Sequence, residues 1–181
     1  TFDWYALPRE KRKLNKNDRK YLDHFANYLE KVNEWGRFEM ISFSSLLFLF
    51  NTNYISQRLK EIEKKISKYS DFEIFHSILS SLYNNAFLLM LERKNIRFSK
   101  QYLQKLETIQ HRSLFAKNTQ ISVQFYKALI FYIEKNNKDG RKRMIEIFQG
   151  LELLELNSLI NEFKCDLIKF EKLYSIPPIF E

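Results

Sequence analysis

Apolar residues return along most of this chain every three or four positions, the spacing that gathers side chains on one face of a helix. After Asn17 or Asp18, either of which can cap a helix, the set is Tyr21, Leu22, Phe25, Tyr28, Leu29 and Val32. Residues 33–36 make a break, and residues 37–50 follow as a Phe- and Leu-rich helix. Residues 55–68 are amphipathic, with Ile55, Leu59, Ile62 and Ile66 opposed to Arg58, Lys60, Glu61, Lys64 and Lys65. Ser70 or Asp71 can cap a long helix to Arg93 that carries Phe75, Ile78, Leu79, Leu82, Ala86 and Leu89. Ser99 is placed to start a shorter one bearing Tyr102, Leu103, Leu106 and Ile109. From Asn118 or Thr119 a further long helix shows Ile121, Phe125, Leu129, Tyr132 and Ile133, and "NNKDG" turns the chain after it. Met144, Ile147, Phe148, Leu151 and Leu154 line the next helix. Asn157 caps the last, with Leu159, Ile160, Phe163, Leu167, Phe170 and Tyr174, and "SIPPIFE" cannot continue it.

The expectation is an all-α fold of about eight helices joined by short polar turns. Helix pairs begin near Tyr54, Ser99 and Gly140, roughly 40 to 45 residues apart, within the range of helical-hairpin repeats. The pattern fits a right-handed solenoid of antiparallel helix pairs with degenerate tetratricopeptide-like repeats; a compact irregular bundle is the alternative. Residues 1–16 read as a basic linker or residual N-terminal segment, 17–176 as one helical-repeat domain, and 177–181 as a tail.

The apolar run from Met40 to Phe50 is too short, and too interrupted by serine, for the ~20 residues of a membrane span. At about 100° per residue, Glu39, Ser42 and Ser45 share one strip and Arg37, Ser44 and Asn51 another almost opposite, with Phe and Leu between. That pattern predicts a helix packed by neighbours on more than one side.

Three glycines and three prolines leave little for hairpins or phosphate-cradling loops. The single cysteine, Cys165, permits no internal disulfide, fits a reducing compartment, and on a helix reads as a small buried apolar residue. Net charge is +8, concentrated in "REKRKLNKNDRK", residues 9–20, where seven basic residues face two acidic ones. That run reads as a solvated linker or helix face. The start at Thr1, without a signal-peptide pattern, reads as the edge of a fragment.

Nothing here assembles catalytic chemistry. HExxH, GxSxG, the Walker A loop and GxGxxG are absent from the sequence. Glu73 and His76 form one E-x-x-H, but a di-iron carboxylate site needs a second copy and further glutamates. We therefore expect neither an enzyme nor a metal or other cofactor.

A second face on the long helices is the more informative pattern. Arg37, Ser44, Phe48 and Asn51 share one line; Ser77, Asn84, Leu88 and Leu91 share another; Gln120, Gln124, Lys127 and Phe131 share a third. Such lines serve either hairpin-to-hairpin packing or a groove in which amides pair with an extended peptide backbone and Phe or Leu pockets take its side chains. Asn85 borders an apolar stripe, where an unpaired amide costs ~1 to 3 kcal/mol, so protein or ligand must satisfy it.

Residues 21–51, "YLDHFANYLEKVNEWGRFEMISFSSLLFLFN", resemble the segment that Rgg/GadR/MutR-type transcriptional regulators of Gram-positive bacteria carry after their N-terminal domain. The elements are Trp35, the pair Phe38-Glu39, Leu47 to Phe50, and Asn51. "LYNNAFLLMLERKN" and "FYKALIFYIEKNNKDGRKRMIEIF" continue the similarity, which covers residues 21–174. Phe38 stands where tyrosine is common, and the family's helix-turn-helix has no counterpart here. The resemblance implies a cytoplasmic homodimer whose helix-turn-helix binds promoter DNA while the repeat domain binds a short signalling peptide on its concave face. Carried over by position, Asn84, Asn85 and the Ser44 to Asn51 side, including Phe48, are peptide-binding candidates, and Gln120, Gln124 and Phe131 join them from their mixed face. A helical-repeat scaffold for a partner protein, without ligand sensing, is the alternative function.

Overall fold

The computed structural model describes residues 16–66, 73–110, 117–135 and 138–180, all helical apart from short connections and the last residues. Eight α-helices occur among them: α1 Lys16–Lys31, α2 Arg37–Leu46, α3 Thr52–Ile66, α4 Glu73–Glu92, α5 Ile96–Gln110, α6 Lys117–Lys135, α7 Lys138–Leu153 and α8 Asn157–Tyr174. A 3-10 turn, Leu47–Leu49, follows α2, so the expected helix over residues 37–50 tightens in its last turn. The chain divides into two compact units, residues 1–70 and 71–181.

In the first unit α2 begins because Glu39 reaches back to accept the Gly36 N–H at 2.9 Å, satisfying a helix-start donor. A Cβ on Gly36 would stand 3.0 Å from that carboxylate, so glycine leaves it room. Glu39 also accepts from the Tyr28 hydroxyl, which ties α1 to α2. Asn51 starts α3 by accepting the Tyr54 N–H. Buried Trp35 packs edge-on to Phe43, and Phe50 stacks on Tyr54 with centroids 4.7 Å apart. Met40, Phe43, Leu47 and Phe50 thus form one buried stripe. Phe38, 68% exposed, and Ile41 face solvent, so this helix is not enclosed on several sides as its two polar strips suggested. On α1 only Leu29 of the expected stripe is fully buried, while Tyr21 is 73% exposed.

In the second unit each helix packs on its successor, and α8 also reaches α6 and α4. The connections after α4 and α7 are three residues long, which keeps consecutive helices side by side and antiparallel. Aromatic rings tie α4, α6 and α8 together: Phe87 meets Tyr126 at 4.6 Å, and Phe125 lies parallel to Phe163 at 4.1 Å. Phe148 of α7 meets Phe125 edge-on at 6.1 Å. Buried positions on α6, Val123, Phe125, Tyr126, Ala128, Leu129, Ile130 and Tyr132, cover most of its circumference, as expected of a helix with neighbours on several sides. Helix α4 is long and apolar enough to cross a membrane, but Leu82, Tyr83, Ala86, Phe87, Leu89, Met90 and Leu91 are buried within the protein, as in the core helix of a packed domain.

Several helix starts differ from expectation. Asn95 caps α5 by accepting the Phe98 N–H, and Ser99 is buried inside the helix with its hydroxyl donating to the Asn95 carbonyl. Asn157 is the first residue of α8, which has no side-chain cap. Gly140 is no turn glycine: it lies buried in the first turn of α7. The Ser70 and Asp71 caps fall outside the described residues, as do the side chains of Asn118 and Thr119.

Three helices end alike. Lys94, Glu155 and Ser175 adopt left-handed backbone with φ of 56°, 54° and 54°. The next amide in each case donates to the carbonyl five residues back, Asn95 to Met90, Leu156 to Leu151 and Ile176 to Glu171. Glycine usually takes that position, because side chains are strained there. Glu155 is exposed, so Glu155→Gly is expected to raise the unfolding free energy by ~0.5 to 1 kcal/mol, the relief of strain outweighing glycine's extra unfolded-state entropy. Urea unfolding reads this out; an unchanged or lower value would mean that this turn carries no strain.

Candidate functional site

Helix α4 carries a strip that the core leaves partly open. At about 100° per residue, Ile74, Ser77, Ser81, Asn84, Asn85 and Leu88 fall within one arc of roughly 100°. Ile74, Ser77 and Ser81 are exposed, and Asn84, Asn85 and Leu88 are half-buried. Both candidate asparagines therefore lie on one surface.

Asn84 stands near the hydroxyl of Tyr126 on α6, and that hydroxyl lies 3.4 Å from Asp166 Oδ2 on α8. Tyr126 is almost wholly buried; burial, followed by the charges of Asp166 and Glu162, pushes its pKa far above the ordinary value, so it acts as a neutral donor. Burial also raises the Asp166 carboxyl, while Lys169 and the Tyr126 hydroxyl pull it partly back and Glu162 and Glu92 push it further up. Lys169 reaches α4 as well, pairing with Glu92 at 2.5 Å. Tyr174 donates to the Leu91 carbonyl at 2.9 Å. The polar groups of Asn84, Tyr126 and Asp166 thus come from three helices at the edge of the aromatic core.

A raised carboxyl means that the fold prefers the protonated acid. Its contribution to stability is complete below the ordinary aspartate value of 3.8 and is lost as pH rises through the folded-state value. Asp166→Asn, whose amide oxygen still accepts from Tyr126, is therefore expected to raise Tm at about pH 7 and to lose that advantage below about pH 4. Thermal melts across this range test the cause; an advantage independent of pH would remove burial of the charge as its source.

Within the second unit, the α6 candidates lie elsewhere. On α6, Gln120 and Gln124 are exposed, and Lys127 and Glu134 on the same strip pair with Glu107 and Lys100 of α5. Phe131 lies under the Arg143 guanidinium of α7 at 4.9 Å. Gln124 stands about 200° around α6 from Tyr126, so this strip looks toward α5 and α7 and is not brought to Asn84. Ser44 and Phe48 are half-buried in the first unit, and Asn51 there is engaged in capping α3. Tyr126 and Asp166 escaped the sequence reading, although Asp166 sits between Phe163, Leu167 and Phe170, an unusual place for an acid.

Cys165 is exposed, not buried as expected, because α8 turns the Phe163, Leu167 and Phe170 face inward. Residues 9–15 of the basic run lie outside the described residues, whereas Lys16, Arg19 and Lys20 are exposed on α1. The Glu73 side chain is likewise outside them, and His76 is half-buried. Among the described residues, no three His, Cys, Asp or Glu side chains are grouped to hold a metal ion.

Known proteins resemble this chain both in sequence and in fold. The family model described as HTH-type transcriptional regulator Rgg, C-terminal domain, matches residues 7–165. No curated protein matches the sequence. A solved protein of Listeria monocytogenes EGD-e, assigned as a transcriptional regulator, superposes with a TM-score of 0.78 at 17% identity, over 91% of this chain and 55% of that one. The chain thus spans about half the length of that protein. RopB superposes with a TM-score of 0.71 at 19% identity, over 91% of this chain and 72% of RopB.

Proposed function

The chain belongs to the Rgg family of helix-turn-helix-type transcriptional regulators, in the part that forms their C-terminal domain, and from that premise we propose that it is the ligand-sensing and dimer-forming portion of such a regulator. Its ligand is a short signalling peptide, and promoter DNA is read by a helix-turn-helix domain outside these residues, in the cytoplasm. The observation that carries the reading is the partly open strip of α4 on which Asn84 and Asn85 stand side by side, with Asn84 near the Tyr126 hydroxyl that donates to Asp166 of α8. Amides both donate and accept, as an extended peptide backbone requires, and Leu88 offers apolar contact one turn further on.

Regulation needs no covalent step. A peptide that engages Asn84 and takes over the Tyr126 hydrogen bond acts on α4, α6 and α8 together. If it prefers one arrangement of these helices, it shifts the population by its differential affinity and so resets the attached DNA-reading domains in the homodimer. Asn84 and Asn85 are the residues we assign to peptide contact, with Tyr126 and Asp166 as their support.

Isothermal titration with a library of short hydrophobic peptides tests the proposal. The wild-type chain is expected to bind at least one peptide, and Asn85→Ala to weaken it roughly tenfold, the loss of about 1.4 kcal/mol that follows when a peptide group loses its hydrogen-bond partner. Indifference of the wild-type chain to the whole library would favour a protein-binding scaffold instead.

A further inference from the structure

The last residues are not a loose tail. After the left-handed turn at Ser175, the two adjacent prolines Pro177 and Pro178 favour an extended run, and they supply no N–H that would need a partner. Every main-chain group that the run offers between Pro177 and Ile179 is taken by a helix of the second unit. Tyr132 of α6 donates to the Pro177 carbonyl. Arg141 of α7 forks over the Pro178 and Ile179 carbonyls at 3.0 and 3.2 Å. Glu171 of α8, only 6% exposed, accepts the Ile179 N–H at 2.7 Å.

Two side chains complete the seat. Ile179 is buried, and Phe180 stands edge-on to Phe148 at 4.9 Å with the Lys164 ammonium 5.3 Å from its centroid. Main-chain capture by fixed polar groups, with one aliphatic and one aromatic pocket, is how proteins bind extended peptides.

We propose that Tyr132, Arg141, Phe148, Lys164 and Glu171 form a second peptide-binding site, which takes extended peptides of the pattern Pro-Pro-aliphatic-aromatic and is occupied in cis by the chain's own residues 176–180. The site shares no residue with the α4 strip and does not rest on the function proposed above. A tethered segment competes at millimolar effective concentration, so a free peptide enters efficiently only when the resident one is weakened.

The test uses the full chain with Ile179→Asp and Phe180→Ala, titrated with a fluorescein-labelled peptide of sequence Ser-Ile-Pro-Pro-Ile-Phe-Glu. The variant is expected to bind at least about tenfold more tightly than wild type, and adding Arg141→Ala to reverse the gain. Equal binding with and without Arg141, or no binding by a variant that still unfolds cooperatively, overturns the proposal. If the variant does not unfold cooperatively, hydrogen exchange on the wild-type chain decides: the Ile179 amide is expected to exchange well before the amides of α7 and α8. Exchange of Ile179 only on global unfolding would make the segment a fixed part of the core and overturn the proposal equally.

Discussion

Phe163→Ala is expected to cost ~3 to 5 kcal/mol of unfolding free energy, the largest single loss predicted for this chain. The ring is fully buried and lies parallel to Phe125 at 4.1 Å, with Tyr126 a further ring contact at 6.2 Å. Phe125 in turn meets Phe148, so the lost ring would leave a hole beside a connected aromatic cluster. Such cores refill poorly, because interiors are packed at crystal-like density and neighbours already occupy their preferred rotamers. Removing the ring forfeits both its transfer from water and the contacts of the surrounding wall. Denaturant unfolding measures the loss. A cost under about 1 kcal/mol would mean that α8 moves to close the gap, and that the core is not the rigid frame on which Asp166 is held.

Gly140→Ala is expected to destabilise by ~1 to 3 kcal/mol, although alanine is the better helix former. A Cβ at this position would lie 2.8 Å from Tyr132 Cα and 3.2 Å from Tyr132 N, and backbone cannot swing aside as a side-chain tip does. The start of α7 would have to move away from α6. Tyr132 also holds the Pro177 carbonyl, so the seat of the terminal segment would open with it. Gly150 in the same helix provides the internal control. Nothing lies within 4 Å of its Cβ position, and Gly150→Ala is expected to stabilise by ~0.5 to 1 kcal/mol through helix propensity alone. Opposite signs for the two substitutions would establish close helix approach at Gly140; the same sign for both would refute it.

Helix identity and order were legible because each of the eight helices carries a periodic apolar stripe, and such stripes survive in any one-dimensional reading. The starts were less so. Ser99 and Asn95 are both good caps in isolation, and only the burial of Ser99 shows that the helix has already begun. Gly140 reads as a turn residue after "NNKD", since the close passage of α6 is a property of two helices and of neither sequence alone.

The candidate site was half legible. Asn85 stood out because an amide beside an apolar stripe needs a partner, and Asn84 because it shares a mixed line with Ser77, Leu88 and Leu91. Tyr126 and Asp166 carried no signal as a pair, because only the packing of α6 against α8 brings them to 3.4 Å. The Gln120, Gln124 and Phe131 strip has the same periodicity as a ligand-facing line, but its polar neighbours pair with α5. Periodicity finds a face without telling which neighbour it meets.

The thiol of Cys165 has a practical consequence for following all of these events. It is the only cysteine in the sequence and it faces solvent, so a maleimide dye or nitroxide would attach there and at no other position. The label would sit next to Asp166 in sequence, on the helix that also bears Lys164 and Glu171. Spectral changes at one chemically unique reporter could then follow titration of either proposed site without first engineering the chain.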